Sequence, residues 1–203
     1  QLLTIQGLHD TYDEIFLPLH GKHQAANAAS ALVAVEAFFG DQPLDIEAVR
    51  AGFAAVTSPG RCEVVHRDPT VILDAAHNPH GAKALAQTLK SEFNFDEIVA
   101  VVGVFGDKDA LGILQELGPI VDHVIVTQSS SSRAMSSSDL EKLATSVFGN
   151  DRVFEVKDLH TALDRAVGDA TRPLSEDTVG IIVTGSVVTV GEARTYLRKK
   201  FAK

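Results

Sequence analysis

From Thr70 onward, short apolar runs alternate with longer segments in which apolar residues recur at helical spacing. The apolar runs are rich in β-branched residues and predict strands at Cys62–Arg67, Thr70–Leu73, Ile98–Val104, His123–Thr127, Arg152–Val156 and Val179–Thr184. The intervening segments predict helices at Pro79–Phe93, Ala110–Leu117, Asp139–Phe148, Leu159–Ala170 and Gly191–Phe201. Because such strands connect through right-handed crossovers, the pattern predicts a Rossmann-like three-layer α/β/α domain with a mostly parallel sheet.

The first 57 residues follow a different pattern. LLTIQGL is strand-like, GKHQAANAASALVAVEAFFG is an alanine-rich helix, and LDIEAVRAGFAAV is a second helix. In the first helix, a packed stripe is expected at Ala28, Leu32, Val35 and Phe39. A Ser-Pro-Gly break at residues 58–60 then ends the segment. We therefore expect residues 1–57 to be a short helical remnant of a preceding domain and residues 58–203 to form the α/β domain.

Two helix starts carry local signals. Asn78 followed by Pro79 predicts an N-cap with proline in the first helical position, where a missing N–H costs nothing. Ser138 and Glu141 have the spacing of a capping box before LEKLATSVF. Both signals support the predicted strand-to-helix alternation.

Composition and charge narrow the class of protein. The 203 residues are 45% hydrophobic and 22% charged, as in ordinary globular proteins. A net charge of -9 argues against nucleic acid or an anionic membrane as the main partner. The single cysteine, Cys62, cannot form an internal disulfide, which fits a reducing cytoplasm. Because the chain begins with Gln1 rather than Met, we expect it to be a piece of a longer protein.

The strand-to-helix turn in ILDAAHNPHGAKAL gathers Asp74, His77 and Asn78. Open α/β sheets bind ligands beyond the carboxyl ends of their strands, and a helix N-terminus favours an anion there. The aspartate could bind a ribose hydroxyl or a metal-bound water, and the imidazole could donate to a phosphate or sugar. Equally, Asp74 could cap the turn and Asn78 the helix, with His77 simply at the surface.

Three further positions offer polar groups. Arg61 follows the rigid Ser-Pro-Gly turn and is either a surface ion-pair partner or a forked clamp on a phosphate. Asn27 shares a helix face with His23 and could recognise a nucleotide base, although an asparagine in a helix is more often just exposed. Ser186, in the Thr-Gly-Ser end of the last strand, could hold a carboxylate, although a simple turn is slightly favoured.

The sequence gives little support for a metal-binding site. His20 and His23 lack the accompanying ligands of a known metal motif. The charged segment Gly106–Asp109 suggests magnesium, but an exposed loop entering a helix explains it equally well. The serine-rich loop around Arg133 could order on an anion, although a mobile loop is the simpler interpretation.

Two nucleotide-binding motifs are missing from the 203 residues. Gly103 and Gly106 do not have the G-x-G-x-x-G spacing, which argues against a dehydrogenase. No G-x-x-x-x-G-K-[ST] loop occurs either, because Gly21-Lys22 lacks the earlier glycine. If ATP is used, most of the contacts to it must come from elsewhere.

Three segments taken together are more specific than any one of them: LPLHGKHQAANAASAL, TSPGRCEVV and VILDAAHNPHGA. In this order they resemble the folylpolyglutamate synthase/dihydrofolate synthase family, relatives of the Mur peptide ligases. IVTGSVVTVGEAR and GVFGDKD also resemble the C-terminal domain of that family. The similarity extends over essentially the whole chain, and implies that the chain begins partway through the family's central ATPase domain.

The resemblance implies a cytoplasmic, monomeric, ATP- and Mg²⁺-dependent amide ligase. In this family ATP phosphorylates a carboxylate of a folate or of dihydropteroate, and L-glutamate attacks the acyl phosphate. By position, Asn27 matches a nucleotide contact and Arg61 the arginine that reaches the phosphates. Asp74 and His77 match groups that complete the ATP and glutamate site, and Ser186 matches the Thr-Gly-Ser turn that contacts substrate.

The family's phosphate loop, magnesium ligands and carbamylated lysine would all lie before Gln1, so we expect no metal ligands in this chain and no activity from it alone. Two alternatives remain open. One is a Mur ligase of cell-wall synthesis, although HQAANA and DAAHNP are closer to the folate branch. The other is a non-catalytic module that binds a nucleotide or an amino acid.

Overall fold

The computed structural model describes residues 1–171 and 178–202, which form two units, Gln1–Pro59 and Gly60–Lys203. Of the predicted domain 58–203, residues 172–177 and 203 lie outside this described part. No helix in the described ranges is long and apolar enough to cross a membrane.

Unit 1 (Gln1–Pro59) is a β-hairpin with two helices. Its elements are β1 (Leu2–Gln6), β2 (Thr11–Phe16), α1 (Lys22–Phe39) and α2 (Ile46–Ala54). The strand-like LLTIQGL segment is indeed a strand, but its antiparallel partner β2 was missed. The pairing shifts register between Leu3 and Ile5, and Glu14 has a φ of 52°, so only Tyr12 and Ile15 of β2 are buried. The usual alternation of period two is therefore absent from β2, and unit 1 is not purely helical.

The buried row of α1 differs from the predicted stripe. Ala28 and Leu32 are buried as expected, but the third member of the row is Glu36. Val35 is 43% exposed and Phe39 70% exposed, so the prediction was wrong for both. The physical reason is that the Glu36 carboxylate finds enough donors in the interior to be buried there.

Three groups donate to the Glu36 carboxylate. The backbone N–H of Leu8 lies 2.6 Å from Oε2, that of His9 lies 3.4 Å from Oε1, and the Tyr12 hydroxyl lies 2.7 Å from Oε1. Burial by itself raises the pKa of Glu36, but these hydrogen bonds outweigh it, and the pKa lies below its ordinary value. Gly7 lies beside it, and a Cβ there would meet the Glu36 carboxylate, so a larger residue would disturb this network.

Unit 2 (Gly60–Lys203) is built on a six-stranded sheet. Its strands are β3 (Glu63–Arg67), β4 (Thr70–Leu73), β5 (Glu97–Val102), β6 (His123–Gln128), β7 (Val153–Asp158) and β8 (Val179–Thr184). They lie in the order β3-β4-β8-β5-β6-β7, and all neighbours are parallel except β3 and β4. The predicted, mostly parallel sheet is confirmed.

Helices cover both faces of this sheet. They are α3 (Pro79–Glu92), α4 (Ala110–Leu117), α5 (Ser137–Phe148), α6 (Leu159–Ala170) and α7 (Val187–Phe201). α3, α4 and α5 pack in one apolar core with Ile72, Val102 and Val126, while α6 and α7 pack in a second core with Val71, Val101 and Ile125. Successive strand residues thus point into opposite cores, which confirms the three-layer α/β/α architecture.

Three predicted helix starts, at Pro79, Ala110 and Leu159, are confirmed, and two lie earlier than expected. Asn78 Oδ1 accepts from Gly81 N at 2.8 Å, with Pro79 as the first helical residue. The capping box at Ser138 and Glu141 was wrong: Ser136 caps α5, because its hydroxyl accepts from Asp139 N and donates to the Asp139 carboxylate. α7 begins at Val187 rather than at Gly191, because Ser186 caps it.

Candidate functional site

The polar turn after β4 lies where the winding of the sheet reverses. The chain passes from β4 through α3 to β5, and returns to fill the position between them with β8. α3 and α7 cover opposite faces of the sheet, so the chain leads to opposite sides after β4 and after β8, and Gly185 N donates to Ala76 O at 3.0 Å between the two loops. A pair of neighbouring strands that leads to opposite faces marks the general ligand-binding position of open α/β sheets. Asp74 and His77 follow β4, and Ser186 follows β8.

Asp74 fastens this turn to its neighbours. Its Oδ2 accepts from Cys62 N at 2.8 Å and its Oδ1 from Ala76 N at 2.9 Å, while its own N–H donates to Val183 O at 3.0 Å. The turn-capping role that the sequence left open is therefore present.

His77 is half-buried, and its ring has one defined partner. Nδ1 lies 3.0 Å from Ala75 O, and because a carbonyl can only accept, Nδ1 carries the hydrogen. Nε2 is then an acceptor in the neutral ring and a donor in the protonated ring. The side-chain oxygen of Asn78 is not available to a ligand in this way, because it accepts a hydrogen bond as the N-cap of α3.

Arg61 is exposed on a turn that is tied directly to the Asp74 loop. Gly60 O accepts from Ala75 N at 2.8 Å, and Cys62 N donates to Asp74. No carboxylate within residues 1–171 and 178–202 forms an ion pair with Arg61. The structure therefore brings an available guanidinium, a carboxylate and an imidazole to the same end of unit 2.

Two conformational features shape this turn. Gly60 has a φ of 70°, and a Cβ there would lie 2.9 Å from Val190 Cγ1, so glycine is required. The next residue but one, Cys62, also has a positive φ, of 46°. Burial raises the pKa of the Cys62 thiol to about 12, with smaller contributions from the charges of Asp74 and Glu92, so this thiol is not a nucleophile near neutral pH.

Ser186 is committed to the start of α7. It is 1% exposed, and its Oγ accepts from Thr189 N at 3.0 Å and lies 2.8 Å from Thr189 Oγ1. Thr189 Oγ1 in turn lies 3.0 Å from Gly103 O, to which it donates. This geometry accounts for Ser186 as an N-cap, and its contact with a substrate stays a prediction.

Asn27 belongs to unit 1, where it is exposed on α1. Its Nδ2 lies 3.3 Å from Gln24 Oε1, a long contact that a ligand could replace. His23 is exposed on the same helix. The shared face predicted for these two residues is thus available to a ligand, and the nucleotide contact stays a prediction.

The loops after β5 and β6 are held to each other. Arg133 Nη2 lies 3.0 and 2.9 Å from the two Asp107 oxygens, and the guanidinium lies 4.8 Å from the centre of the Phe105 ring. Gly106 N also donates to Arg133 O at 2.9 Å. The serine-rich loop is therefore anchored by these contacts, which the mobile-loop interpretation did not anticipate.

In the described part of the chain, no group of three or more His, Cys, Asp or Glu side chains is arranged to hold a metal ion. Asp109, from the segment considered for magnesium, accepts from Gly112 N at 2.8 Å as the N-cap of α4. The exposed-loop interpretation accounts for this aspartate.

Sequence reasoning missed Glu63. Its Oε2 accepts from Gly60 N at 2.9 Å, and Arg194 Nε lies 2.9 Å from the same oxygen. Burial raises the pKa of Glu63, but the hydrogen bonds from Arg194 and Gly60 outweigh it and the pKa is lowered. An acidic residue in a segment otherwise predicted as a strand, two positions after Arg61, was the available signal.

The structure is an α/β domain in which a group of polar side chains lies at the switch point of a mostly parallel sheet. Residues 60–187 match the family model of the Mur ligase, glutamate ligase domain. Because the match covers more than half of the 203 residues, the chain belongs to the Mur ligase family.

Individual relatives fall in the folate branch. The dihydrofolate synthase/folylpolyglutamate synthase of Mycobacterium tuberculosis is 51% identical over 206 residues, covering 96% of this chain and 42% of the relative. The crystal structure of M. tuberculosis folylpolyglutamate synthase complexed with ADP and AMPPCP is 54% identical, with a TM-score of 0.91, over 96% of this chain and 44% of that one.

A more distant structure has the same fold. The bifunctional folylpolyglutamate synthase/dihydrofolate synthase from Yersinia pestis, complexed with AMPPNP and Mn ion, is 30% identical with a TM-score of 0.72. That match covers 93% of this chain and 42% of that one. The chain therefore spans about two fifths of the length of the relatives it matches.

Proposed function

We propose that this chain is part of an ATP-dependent ligase that adds L-glutamate to folates through an acyl-phosphate intermediate. The observation that carries the proposal is the exposed Arg61, on a turn hydrogen-bonded to the Asp74 loop at the switch point of the sheet. The names of the similar proteins support the folate branch over a cell-wall peptide ligase.

In this proposal Arg61 stabilises the negative charge on the phosphates during phosphoryl transfer. A guanidinium offers a forked set of donors, is always charged, and here has no ion-pair partner in the described ranges to compete with a phosphate. The N-terminus of α3, capped by Asn78, adds a positive dipole end at the loop that follows β4. These groups fit an anionic ligand.

Asp74 and His77 orient the nucleotide and the incoming glutamate in this proposal. Asp74 accepts from a ligand hydroxyl while its backbone contacts keep it in place. His77 faces the ligand with Nε2, because Nδ1 is bonded to Ala75 O. Asn27 contacts the base of the nucleotide, and Ser186 contacts the substrate directly or through the α7 start that it caps.

The remaining features follow from the same proposal. The partners are ATP with Mg²⁺, L-glutamate, and a folate or dihydropteroate, in a monomeric cytoplasmic enzyme. Residues 1–57 are the end of a central ATPase domain, and residues 58–203 are the C-terminal domain. Support for the first assignment comes from the apolar surface of unit 1, where Phe38 is 82% exposed and Phe39 70% exposed.

The central experiment is Arg61→Ala in the ligase that contains this chain. We expect glutamate addition to fall by roughly 10²-fold, because a donor to developing charge is lost. Arg67→Ala removes another exposed arginine of unit 2 and serves as the matched control, with activity unchanged. Near-wild-type turnover by Arg61→Ala would refute the phosphate-clamp role.

The substrate is tested by comparing dihydropteroate, tetrahydrofolate and a muramyl peptide as acceptors of glutamate. Preference for the muramyl peptide would identify the chain as part of a cell-wall peptide ligase. If glutamate is added to none of the acceptors, the result would favour a non-catalytic binding module. We also propose that the 203-residue chain alone has no ligase turnover, because it contains no phosphate loop. Turnover by the purified chain would contradict this.

A further inference from the structure

Glu63, the first residue of β3, turns back onto the turn that carries Arg61. Its Oε2 accepts from Gly60 N at 2.9 Å, and its side chain is only 18% exposed. The same carboxylate is held by α7: Arg194 Nε lies 3.0 and 2.9 Å from its two oxygens, and Arg198 Nη2 lies 3.4 Å from Oε1. Glu63 therefore links the turn to a helix that is distant in sequence.

The turn needs such support because its backbone is unusual. Gly60 and Cys62, on either side of Arg61, both have positive φ values, of 70° and 46°. A non-glycine residue is rarely found in this region unless surrounding contacts maintain it. Three hydrogen bonds do so: Gly60 N donates to Glu63, Ala75 N to Gly60 O, and Cys62 N to Asp74.

The charge of Glu63 matters as much as its hydrogen bond. A carboxylate two residues from Arg61 could attract that guanidinium and hold it against the turn. Instead Glu63 is neutralised by Arg194 and Arg198 of α7. Arg61 makes no ion pair in the described part of the chain, so its guanidinium stays available.

We propose that Glu63 and Arg194 are positioning residues for Arg61: Glu63 fixes the turn through Gly60 N, and Arg194 keeps Glu63 from pairing with Arg61. This inference rests on the proposed role of Arg61 at the phosphates. Neither Glu63 nor Arg194 contacts the substrate. Their effect on catalysis is exerted through the orientation and freedom of one guanidinium.

A double-mutant cycle in the ligase that contains this chain tests the proposal. Glu63→Ala should lower kcat about 10-fold and leave KM for glutamate within about twofold, because a misplaced catalytic group costs rate. In the Arg61→Ala background the same change should cost nothing further. Glu63→Gln keeps an oxygen acceptor for Gly60 N, so it should lower kcat less than Glu63→Ala does. Equal losses in both backgrounds would show a merely structural role and overturn the proposal.

Asp164→Ala provides a matched control. Asp164 is also a carboxylate held by α7, through Tyr196 and Lys200, but it makes no contact with the Gly60–Cys62 turn. We expect its removal to leave kcat unchanged. A loss equal to that of Glu63→Ala would mean that any disturbance of α7 has the same effect, and would overturn the proposal.

Amide hydrogen exchange in the 203-residue chain separates this inference from the proposed function. Glu63→Ala and Arg194→Met should speed exchange at Gly60 and Ala75 while amides of the central strand β5 keep wild-type rates. Unchanged exchange at Gly60 and Ala75 would refute the positioning role even if the ligase is active. A ligase unaffected by Arg61→Ala would instead refute the proposed function.

Discussion

The two units of this chain reach a buried interior by different means. In unit 2, helices cover both faces of a mostly parallel sheet, and five of the six residues of β5 are buried and apolar. In unit 1, a two-stranded hairpin packs on α1 around a small apolar cluster with a carboxylate, Glu36, at 0% exposure beside it. Hydrophobic periodicity alone describes the first interior, whereas the second depends on specific hydrogen bonds.

The two units also differ in how many large hydrophobic side chains they expose. Of the large hydrophobic side chains exposed in the described residues, unit 2 contributes Leu111 and Val187. Unit 1 contributes a longer set, comprising Leu2, Leu8, Phe16, Val35, Phe38 and Phe39. α1 and α2 also border an open apolar cavity of about 410 Å³. Unit 1 thus leaves apolar surface uncovered, which a larger domain would bury.

The largest effect is expected in the apolar interior of unit 2. Leu114 is 0% exposed in α4, and Leu114→Ala should lower the free energy of unfolding by about 2–5 kcal/mol, because it removes buried methyl groups and leaves a cavity. Leu111→Ala on the same helix is the control, and it should lower the free energy of unfolding by about 0.5 kcal/mol. Urea unfolding followed by circular dichroism measures both. Similar losses for the two would contradict the burial pattern.

The hydrogen-bonded interior of unit 1 is tested with its tyrosine. The Tyr12 hydroxyl donates to Glu36 and accepts from Leu44 N at 2.8 Å, so Tyr12→Phe removes one of the three donors to the buried carboxylate and the acceptor of Leu44 N. We expect the free energy of unfolding of unit 1 to fall by about 1–3 kcal/mol. Amide hydrogen exchange at residues of unit 1 measures this loss.

The other tyrosine, in unit 2, gives the matched control. Tyr196 donates to Asp164 at the surface, and Lys200 still contacts Asp164 when the hydroxyl is removed. Tyr196→Phe should therefore cost about 0.5 kcal/mol. A Tyr12→Phe loss no larger than this would mean that the Glu36 network contributes little.

A smaller, pH-dependent effect should distinguish unit 1 at low pH. The pKa of Glu36 is lowered in the folded state, so its contribution to stability is complete above the ordinary value of 4.5 and is lost as pH falls through the lower folded-state pKa. Tyr196→Phe leaves Tyr12 as the sole fluorophore, since the chain has two tyrosines and no tryptophan. Its fluorescence should report acid unfolding of unit 1.

Glu36→Gln cannot titrate at this position, so it should reduce the pH dependence below pH 4.5, at the cost of lower stability at neutral pH. An acid transition of Tyr12 that is the same with glutamate and with glutamine would assign the effect to other groups.

The smallest effect is expected at the exposed aromatic pair of α1. Phe38 is 82% exposed, and Phe38→Ser should change the unfolding free energy of this chain by no more than about 0.5 kcal/mol. Chemical denaturation measures it. A loss of about 3–5 kcal/mol, typical of a buried phenylalanine, would show that Phe38 is covered in solution.

Sequence reasoning succeeded where local periodicity decides structure. The strands and helices of unit 2 lie within a few residues of their predicted positions, and Asn78 caps α3 as expected. It failed at β2, whose bulge removes the alternation, and at Val35 and Phe39, where apolar residues on a helix were taken as buried. For the proposed site, it singled out Arg61 and the Asp74 turn, whose roles stay predictions, and it missed Glu63, whose main partner is 131 residues away.

The sequence by itself determined the order of elements, the two apolar faces of each central strand and the polar turn after β4, because these depend on neighbours within a few residues. Only the tertiary structure decided that β8 lies between β4 and β5, that the Arg61 turn is bonded to the Asp74 loop, and that Glu36 is buried. Each of these depends on which distant segments meet, and local hydrophobic spacing does not encode that choice of partner.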